Sequence, residues 1–108
     1  MTTIPRDLTT YEKRVVNLVR LFDEYADLKR LFIKVVATHE QAEQISKMAK
    51  VLRLERHPDG EKLMITFLLP EYRRYVDTVA RLAALKINLD GTVQTHDGYT
   101  LAPEDFKQ

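Results

Sequence analysis

The sequence contains no cysteine, no tryptophan and a single serine, and these absences exclude several kinds of chemistry. Without cysteine, the chain forms no disulfide, builds no thiolate zinc site and carries no cysteine nucleophile. Glycine is also scarce. Each of the three glycines follows an aspartate, so the chain has no glycine-rich phosphate-binding loop. The one serine, Ser46, falls in a predicted helix and in no context typical of a nucleophile.

Long hydrophobic runs are missing as well. No stretch approaches the roughly 18 apolar residues of a transmembrane helix, and no apolar segment follows a basic start as in a signal peptide. We therefore expect a protein that does not enter a membrane and whose default location is cytoplasmic. The length of 108 residues predicts one domain over residues 1–108, and the composition, 44% hydrophobic and 31% charged, is typical of a folded globular protein.

The charge balance gives little indication of a partner. The net charge of +1 provides no general attraction to nucleic acid or to a membrane surface. Residues 1–89 hold 16 lysines and arginines against 12 acids, whereas residues 90–108 hold one lysine against four acids. The chain thus has a mildly basic body and an acidic tail.

The titratable residues show no catalytic or metal-binding pattern. His39, His57 and His96 are far apart in the sequence, and none forms an i,i+4 pair with another metal ligand. Two pairs come nearest to a metal site, namely His57 with Asp59 and His96 with Asp97. Both pairs are better explained as solvent-exposed residues of turns. We therefore predict no enzyme activity, no cofactor and no metal.

An amphipathic helix is predicted near the start of the chain. Residues 1–8 lack periodicity and read as a loose leader, after which Thr9 and Glu12 have the spacing of a capping box. A helix over residues 9–28 follows, with an apolar stripe at 4-3 spacing: Tyr11, Val15, Leu18, Phe22 and Tyr25. This stripe suits either the core of its own domain or a seam shared with a second copy.

Alternating strands and helices are predicted from residue 31 onward. Residues 31–37 are short enough for a strand and include the β-branched Ile33, Val35 and Val36, although no glycine or proline stops the first helix from continuing through residues 29–37. A helix follows from Thr38. Two alternating segments, 52–57 and 61–69, flank a turn at Pro58–Gly60, and Pro70 begins a helix that reaches about Lys86.

The resulting order predicts an α+β fold. It consists of an N-terminal helix followed by a ferredoxin-like βαββαβ sandwich over residues 31–95. Residues 96–108 form a short C-terminal β-hairpin arm and an acidic tail. The last two Asp-Gly pairs predict two-residue hairpin turns in a small meander.

One face of the predicted sheet carries more apolar residues than a solvated face normally shows, namely Phe32, Val36, Met64 and Leu68. We therefore predict a non-enzymatic protein-interaction or assembly (adaptor) domain that forms homo-oligomers or binds a partner protein. The predicted interface combines the N-terminal helix with this face: Tyr11, Val15, Leu18, Phe22, Tyr25, Phe32, Met64 and Leu68.

RNA binding is the alternative function. The segment LFIKVV at residues 31–36 resembles the first-strand signature of the RNA-recognition motif, and the resemblance implies that Phe32 stacks on a base. The second signature would place aromatics at Lys62 and Met64, which are not aromatic. Under this alternative the contact residues are Phe32, Arg53, Lys62, Arg73 and Arg74.

Overall fold

The computed structural model describes residues 4–106, which fold into a mixed α+β structure. In chain order the elements are α1 Thr10–Asp27, β1 Phe32–Ala37, α2 His39–Met48, β2 Arg53–Arg56, β3 Leu63–Leu68, α3 Leu69–Leu82, β4 Lys86–Ile87, β5 Val93–Gln94, β6 Thr100–Leu101 and a 3-10 turn Pro103–Phe106. The chain divides into two compact units. One is Tyr25–Tyr75, and the other comprises the segments before and after it. The prediction of a single domain stays a prediction.

The unit Tyr25–Tyr75 contains a three-stranded antiparallel sheet in the order β1-β3-β2. In its register Phe32 lies opposite Leu68, and Arg53 lies opposite Thr66. The strand predicted at residues 31–37 is therefore confirmed, and continuation of the first helix is wrong. Lys29 explains why α1 ends, because its φ of 54° leaves the right-handed helical region.

One face of this sheet forms the core of the unit. Ile33, Ile65 and Phe67 are fully buried there, and α2 contacts both β1 and β3. The start of α3 closes the same face, since the rings of Tyr72 and Tyr75 each lie with their centroids 5.7 Å from that of Phe67. Aromatic contacts in these geometries add to the free energy gained by burial.

The predicted hairpin between β2 and β3 is present. The amide of Gly60 donates to the carbonyl of His57 at 2.8 Å, and the φ of Gly60 is 78°. The Asp59 carboxylate accepts hydrogen bonds from the next two amides, at 3.0 and 3.2 Å. Asp59 and Gly60 thus behave as is typical of a Pro-Asp-Gly turn, since the carboxylate accepts from the amides that follow it and the glycine has the positive φ.

The other unit includes most of α1, which begins with the predicted capping box. The Thr9 hydroxyl accepts from the amide of Glu12 at 3.1 Å, and the Glu12 carboxylate accepts from the amide of Thr9 at 2.8 Å. The buried residues of this helix are Glu12, Val15, Val16 and Val19. The buried face therefore includes Val15 but not the exposed Tyr11 of the predicted stripe.

A second small sheet, in the order β4-β5-β6, forms the predicted meander. Both turns differ from the predicted two-residue type. Asn88 bonds across the first turn to Thr92, and Thr95 bonds across the second to Tyr99, so each loop holds three residues and ends in a glycine with positive φ. A type I turn closed by a left-handed glycine has this geometry.

The ferredoxin-like βαββαβ sandwich is not confirmed. Three of its strands share the first sheet, but β4 pairs with β5 in the second sheet. A two-residue strand has few ladder bonds to offer a distant partner, whereas the turn after it brings β5 alongside at little entropic cost. In addition, α3 ends at Leu82 and not near Lys86, because Ala84 has a φ of 59°.

Candidate functional site: the exposed face of the first sheet

The face of the first sheet opposite its core carries exposed apolar side chains; we call this the exposed face. Phe32, Val36 and Leu68 retain 47%, 50% and 42% of their accessible surface, and Met64 is partly buried. The register brings these residues together, with Phe32 opposite Leu68 and Val36 opposite Met64. The apolar face expected from the sequence is therefore present in the unit Tyr25–Tyr75.

The centre of the exposed face is polar and basic. Thr66 lies there on β3, between Lys34 of β1 and Arg53 of β2 in the register. Thr66 is only 6% exposed, and its hydroxyl has no hydrogen-bond partner within residues 4–106. Arg53 has Glu55 as its neighbour on the same strand, at 3.9 Å. The face thus consists of a basic centre flanked by apolar residues at both ends.

The predicted interface residues on α1 have mixed environments. Val15 is fully buried within the chain, Leu18, Phe22 and Tyr25 are partly buried, and Tyr11 is 64% exposed. A residue buried as completely as Val15 cannot contact a second molecule in this conformation. Of the predicted interface, Phe32 and Leu68 are the residues that the sheet exposes most.

The residues of the RNA-binding alternative do not share one surface. Phe32 and Arg53 belong to the exposed face, and Lys62 is exposed just before β3. Arg73 and Arg74 lie on α3, whose first turns pack on the opposite face of the sheet. Arg74 also pairs with Glu71 at 3.5 Å, as helical neighbours do. The predicted patch therefore separates into two groups.

A second polar cluster, in the other unit, was not predicted. Arg6 lies in the segment expected to be a loose leader, yet its guanidinium donates to both oxygens of Glu12 at 2.8 Å. The same guanidinium donates to both oxygens of Asp97 at 2.9 Å. Two such bidentate pairs hold the segment before α1 against the turn between β5 and β6. Residues 1–3 of the predicted leader lie outside the described residues.

The electrostatics of this cluster follow from Arg6. Its hydrogen bonds hold the pKa of Glu12 and that of Asp97 below their ordinary values, with the Thr95 hydroxyl contributing at Asp97. The carboxylates in turn raise the pKa of Arg6. All three groups are therefore charged at neutral pH, and the buried carboxylate of Glu12 is neutralised by a partner.

A metal-ligand grouping overlaps this cluster. Glu12, His96 and Asp97 each place a ligand atom within 4.8 Å of the others. The carboxylates of Glu12 and Asp97 are both paired with Arg6. A metal ion at this position would have to compete with the Arg6 guanidinium for the same oxygens. The other pair considered for a metal, His57 and Asp59, lies in the turn between β2 and β3. There the amide of Asp59 donates to Nδ1 of His57 at 3.3 Å, a contact that the turn itself accounts for.

No helix in the described part of the chain is long and apolar enough to cross a membrane. No protein-family model matches the sequence, and comparisons with curated proteins and with solved structures give no match either.

Proposed function

We propose that this chain is a protein-interaction domain that self-associates through the exposed face of its first sheet. The observation that carries the proposal is the exposure of Phe32, Val36 and Leu68 on one face, at 42–50% of their accessible surface. Exposure of clustered apolar side chains to water costs about 25 cal/mol for each Å² of apolar surface. A second copy covering the face recovers that free energy, and twofold homodimers are the commonest oligomers.

The exposed face is small for a protein–protein interface. A strand of six residues spans about 20 Å, and three strands are about 14 Å wide. This footprint lies below that of a standard interface, which buries about 800 Å² on each partner. We therefore propose a weak dimer with a dissociation constant above about 1 μM.

Sedimentation over a concentration series up to several hundred micromolar tests the proposal. The wild-type chain is expected to shift from monomer to dimer, and Phe32→Glu is expected to remain monomeric and folded because its side chain is solvent-accessible. Leu89→Glu is the matched control. Leu89 is fully exposed at the tip of a turn, so this variant is expected to associate like the wild type. A wild type that stays monomeric throughout, or equal effects of the two variants, contradicts the proposal.

The contribution of α1 is tested separately. Phe22 is partly buried, so Phe22→Glu is expected to unfold the chain if the helix mainly serves the core of its own protein. A folded, monomeric Phe22→Glu variant would instead place α1 in the intermolecular contact. Circular dichroism and sedimentation of this variant distinguish the two roles.

Single-stranded RNA is a second candidate ligand for the exposed face. Phe32, Lys34 and Arg53 share this face, and an aromatic ring beside cationic side chains can stack on bases and contact phosphates. Fluorescence anisotropy with a labelled RNA oligonucleotide tests this function. Submicromolar, salt-sensitive binding that Phe32→Ala abolishes supports it, whereas absence of binding at low salt contradicts it.

A further inference from the structure

We propose that the free edge of β1 binds an extended peptide segment as an additional strand, with an acidic side chain of that segment opposite Lys34. Among residues 4–106, β1 pairs with β3 alone. Unpaired sheet edges bind peptides through main-chain hydrogen bonds, and the side chains of the edge strand determine specificity. This site lies at the edge of the sheet and takes a different protein, so it does not depend on self-association across the exposed face.

The register shows which backbone groups are available. The amide of Leu69 donates to the carbonyl of Leu31 at 3.0 Å, which makes these two residues a hydrogen-bonded pair. Bonded and non-bonded pairs alternate along an antiparallel ladder. Phe32, Lys34 and Val36 therefore direct their N–H and C=O groups away from β3, and all three residues are exposed.

The two edges of the sheet differ in chemistry. β2, at the other edge, has four residues, three of which are charged: Arg53, Glu55 and Arg56. Short, charged edges resist pairing with another strand. β1 is six residues long, contains no proline, and carries Lys34 as its single charge. The edge suited to strand addition is therefore β1.

Lys34 determines the chemistry of the incoming strand. Its side chain lies on the exposed face, between those of Phe32 and Val36 along β1. A residue directly opposite on an added strand has its Cβ atom about 4.5–5.5 Å away, where an opposite charge is favourable. The residues two positions to either side would then face Phe32 and Val36. The fitting segment is apolar, acidic and apolar at alternate positions.

A second copy of β1 fits this edge less well than an acidic segment does. In the antiparallel register that uses Phe32, Lys34 and Val36 of both copies, each Lys34 lies opposite the other Lys34. Like charges directly opposite destabilise a strand pair. A shift by two residues removes this repulsion but leaves the outward backbone groups of one residue on each strand without a partner. Charge therefore favours a different protein with an acidic strand.

Hydrogen exchange of the full-length, isotope-labelled chain with a synthetic peptide tests the proposal. The probe peptide alternates valine and threonine and carries one central glutamate. Saturating peptide is expected to slow exchange at the amides of Phe32, Lys34 and Val36. The amides of Ile33 and Val35 already bond to β3 and are expected to change little. Replacing the central glutamate by lysine is expected to weaken binding about fivefold or more.

Two variants and one modified peptide serve as controls. Lys34→Glu is expected to reverse the preference between the glutamate and lysine peptides. Arg53→Glu makes the same charge change on the same face but at the other edge, and is expected to keep the original preference. A peptide N-methylated on its bonding side is expected not to bind. Equal affinity for both peptides, binding of the methylated peptide, or slow exchange at these three amides in the free chain would overturn the proposal.

Discussion

The Arg6 guanidinium binds both oxygens of Asp97 at 2.9 Å although 91 positions separate the two residues in the sequence. The same group binds the buried Glu12, so one side chain neutralises a carboxylate on α1 and another in a turn. This arrangement ties a segment without regular secondary structure to the elements on either side of it.

The ion pairs of Arg6 predict a pH-dependent stability difference between the wild type and Arg6→Gln. The pKa values of Glu12 and Asp97 lie below their ordinary values of 4.5 and 3.8 in the folded chain, mainly because of Arg6. Carboxylates with lowered pKa stabilise the folded state above these ordinary values, and the contribution is lost as the pH falls through the folded values. The variant is therefore expected to be less stable at pH 7, and the difference should shrink below about pH 4.5.

Urea unfolding at several pH values measures this difference. Arg56→Gln is the control, because Arg56 is exposed and forms no ion pair within residues 4–106. That variant is expected to follow the wild type at every pH. A difference between wild type and Arg6→Gln that stays constant from pH 7 to pH 3 would show that Arg6 acts through packing and not through its charge.

The ends of α1 and α3 predict two stabilising substitutions. Lys29 and Ala84 occupy the left-handed position that follows a helix, with φ of 54° and 59°. At each end the following amide bonds back to the carbonyl five residues earlier, as in a Schellman motif. Lys29→Gly and Ala84→Gly are each expected to raise the free energy of unfolding by about 0.5–1 kcal/mol, because glycine adopts this conformation without strain.

Thermal and urea unfolding check the two substitutions. Ala26→Gly, within the last turn of α1, is the control and is expected to destabilise the chain by about 0.5–1 kcal/mol. Loss of stability in Lys29→Gly and Ala84→Gly as well would show that their side chains contribute more than the backbone strain costs.

The two turns of the meander predict unequal effects of adding a methyl group. Gly91 and Gly98 have similar φ values, 87° and 92°, so alanine is strained at both by about 1–2 kcal/mol. A Cβ at Gly91 would also lie 3.2 Å from the Asp23 carboxylate, whereas nothing lies within 4 Å of a Cβ at Gly98. Gly91→Ala is therefore expected to lower the unfolding free energy more than Gly98→Ala, and equal losses in urea unfolding would contradict this.

Local signals in the sequence were sufficient for much of the fold. The capping box at Thr9 depends on residues within one helical turn, and it is present. The hairpin at Pro58–Gly60 likewise depends on adjacent residues. The apolar exposed face followed from the alternation of β1 and β3, since period-2 alternation assigns each residue to a face.

The long-range features could not be read in the same way. Glu12 is charged, so a search for regularly spaced apolar residues does not identify it as buried. Its partner Arg6 lies in a segment that has no hydrophobic periodicity. The predicted stripe on α1 therefore included Tyr11, which is exposed, and omitted Glu12, which is buried. The pairing of β4 was missed because a two-residue strand carries almost no alternation to read.

Two buried threonines predict opposite effects of the same substitution. Thr66 and Thr95 are 6% and 4% exposed, but only Thr95 uses its hydroxyl, which donates to Asp97 at 2.6 Å and accepts from the amide of Tyr99 at 2.9 Å. The hydroxyl of Thr66 has no partner in the described part of the chain. Thr66→Val replaces an unsatisfied polar group by a methyl of similar shape, so it is expected to stabilise the chain by about 1 kcal/mol.

Thr95→Val should instead destabilise the chain by about 1–3 kcal/mol, because it leaves the amide of Tyr99 without that acceptor and removes a donor from Asp97. Urea unfolding of both variants at pH 7 measures the two effects against one reference. Valine and threonine are both favoured in strands, so strand propensity does not oppose the gain expected at Thr66 on β3. A destabilised Thr66→Val variant would therefore show that the Thr66 hydroxyl makes a favourable interaction in solution, on the same face that carries Phe32 and Lys34.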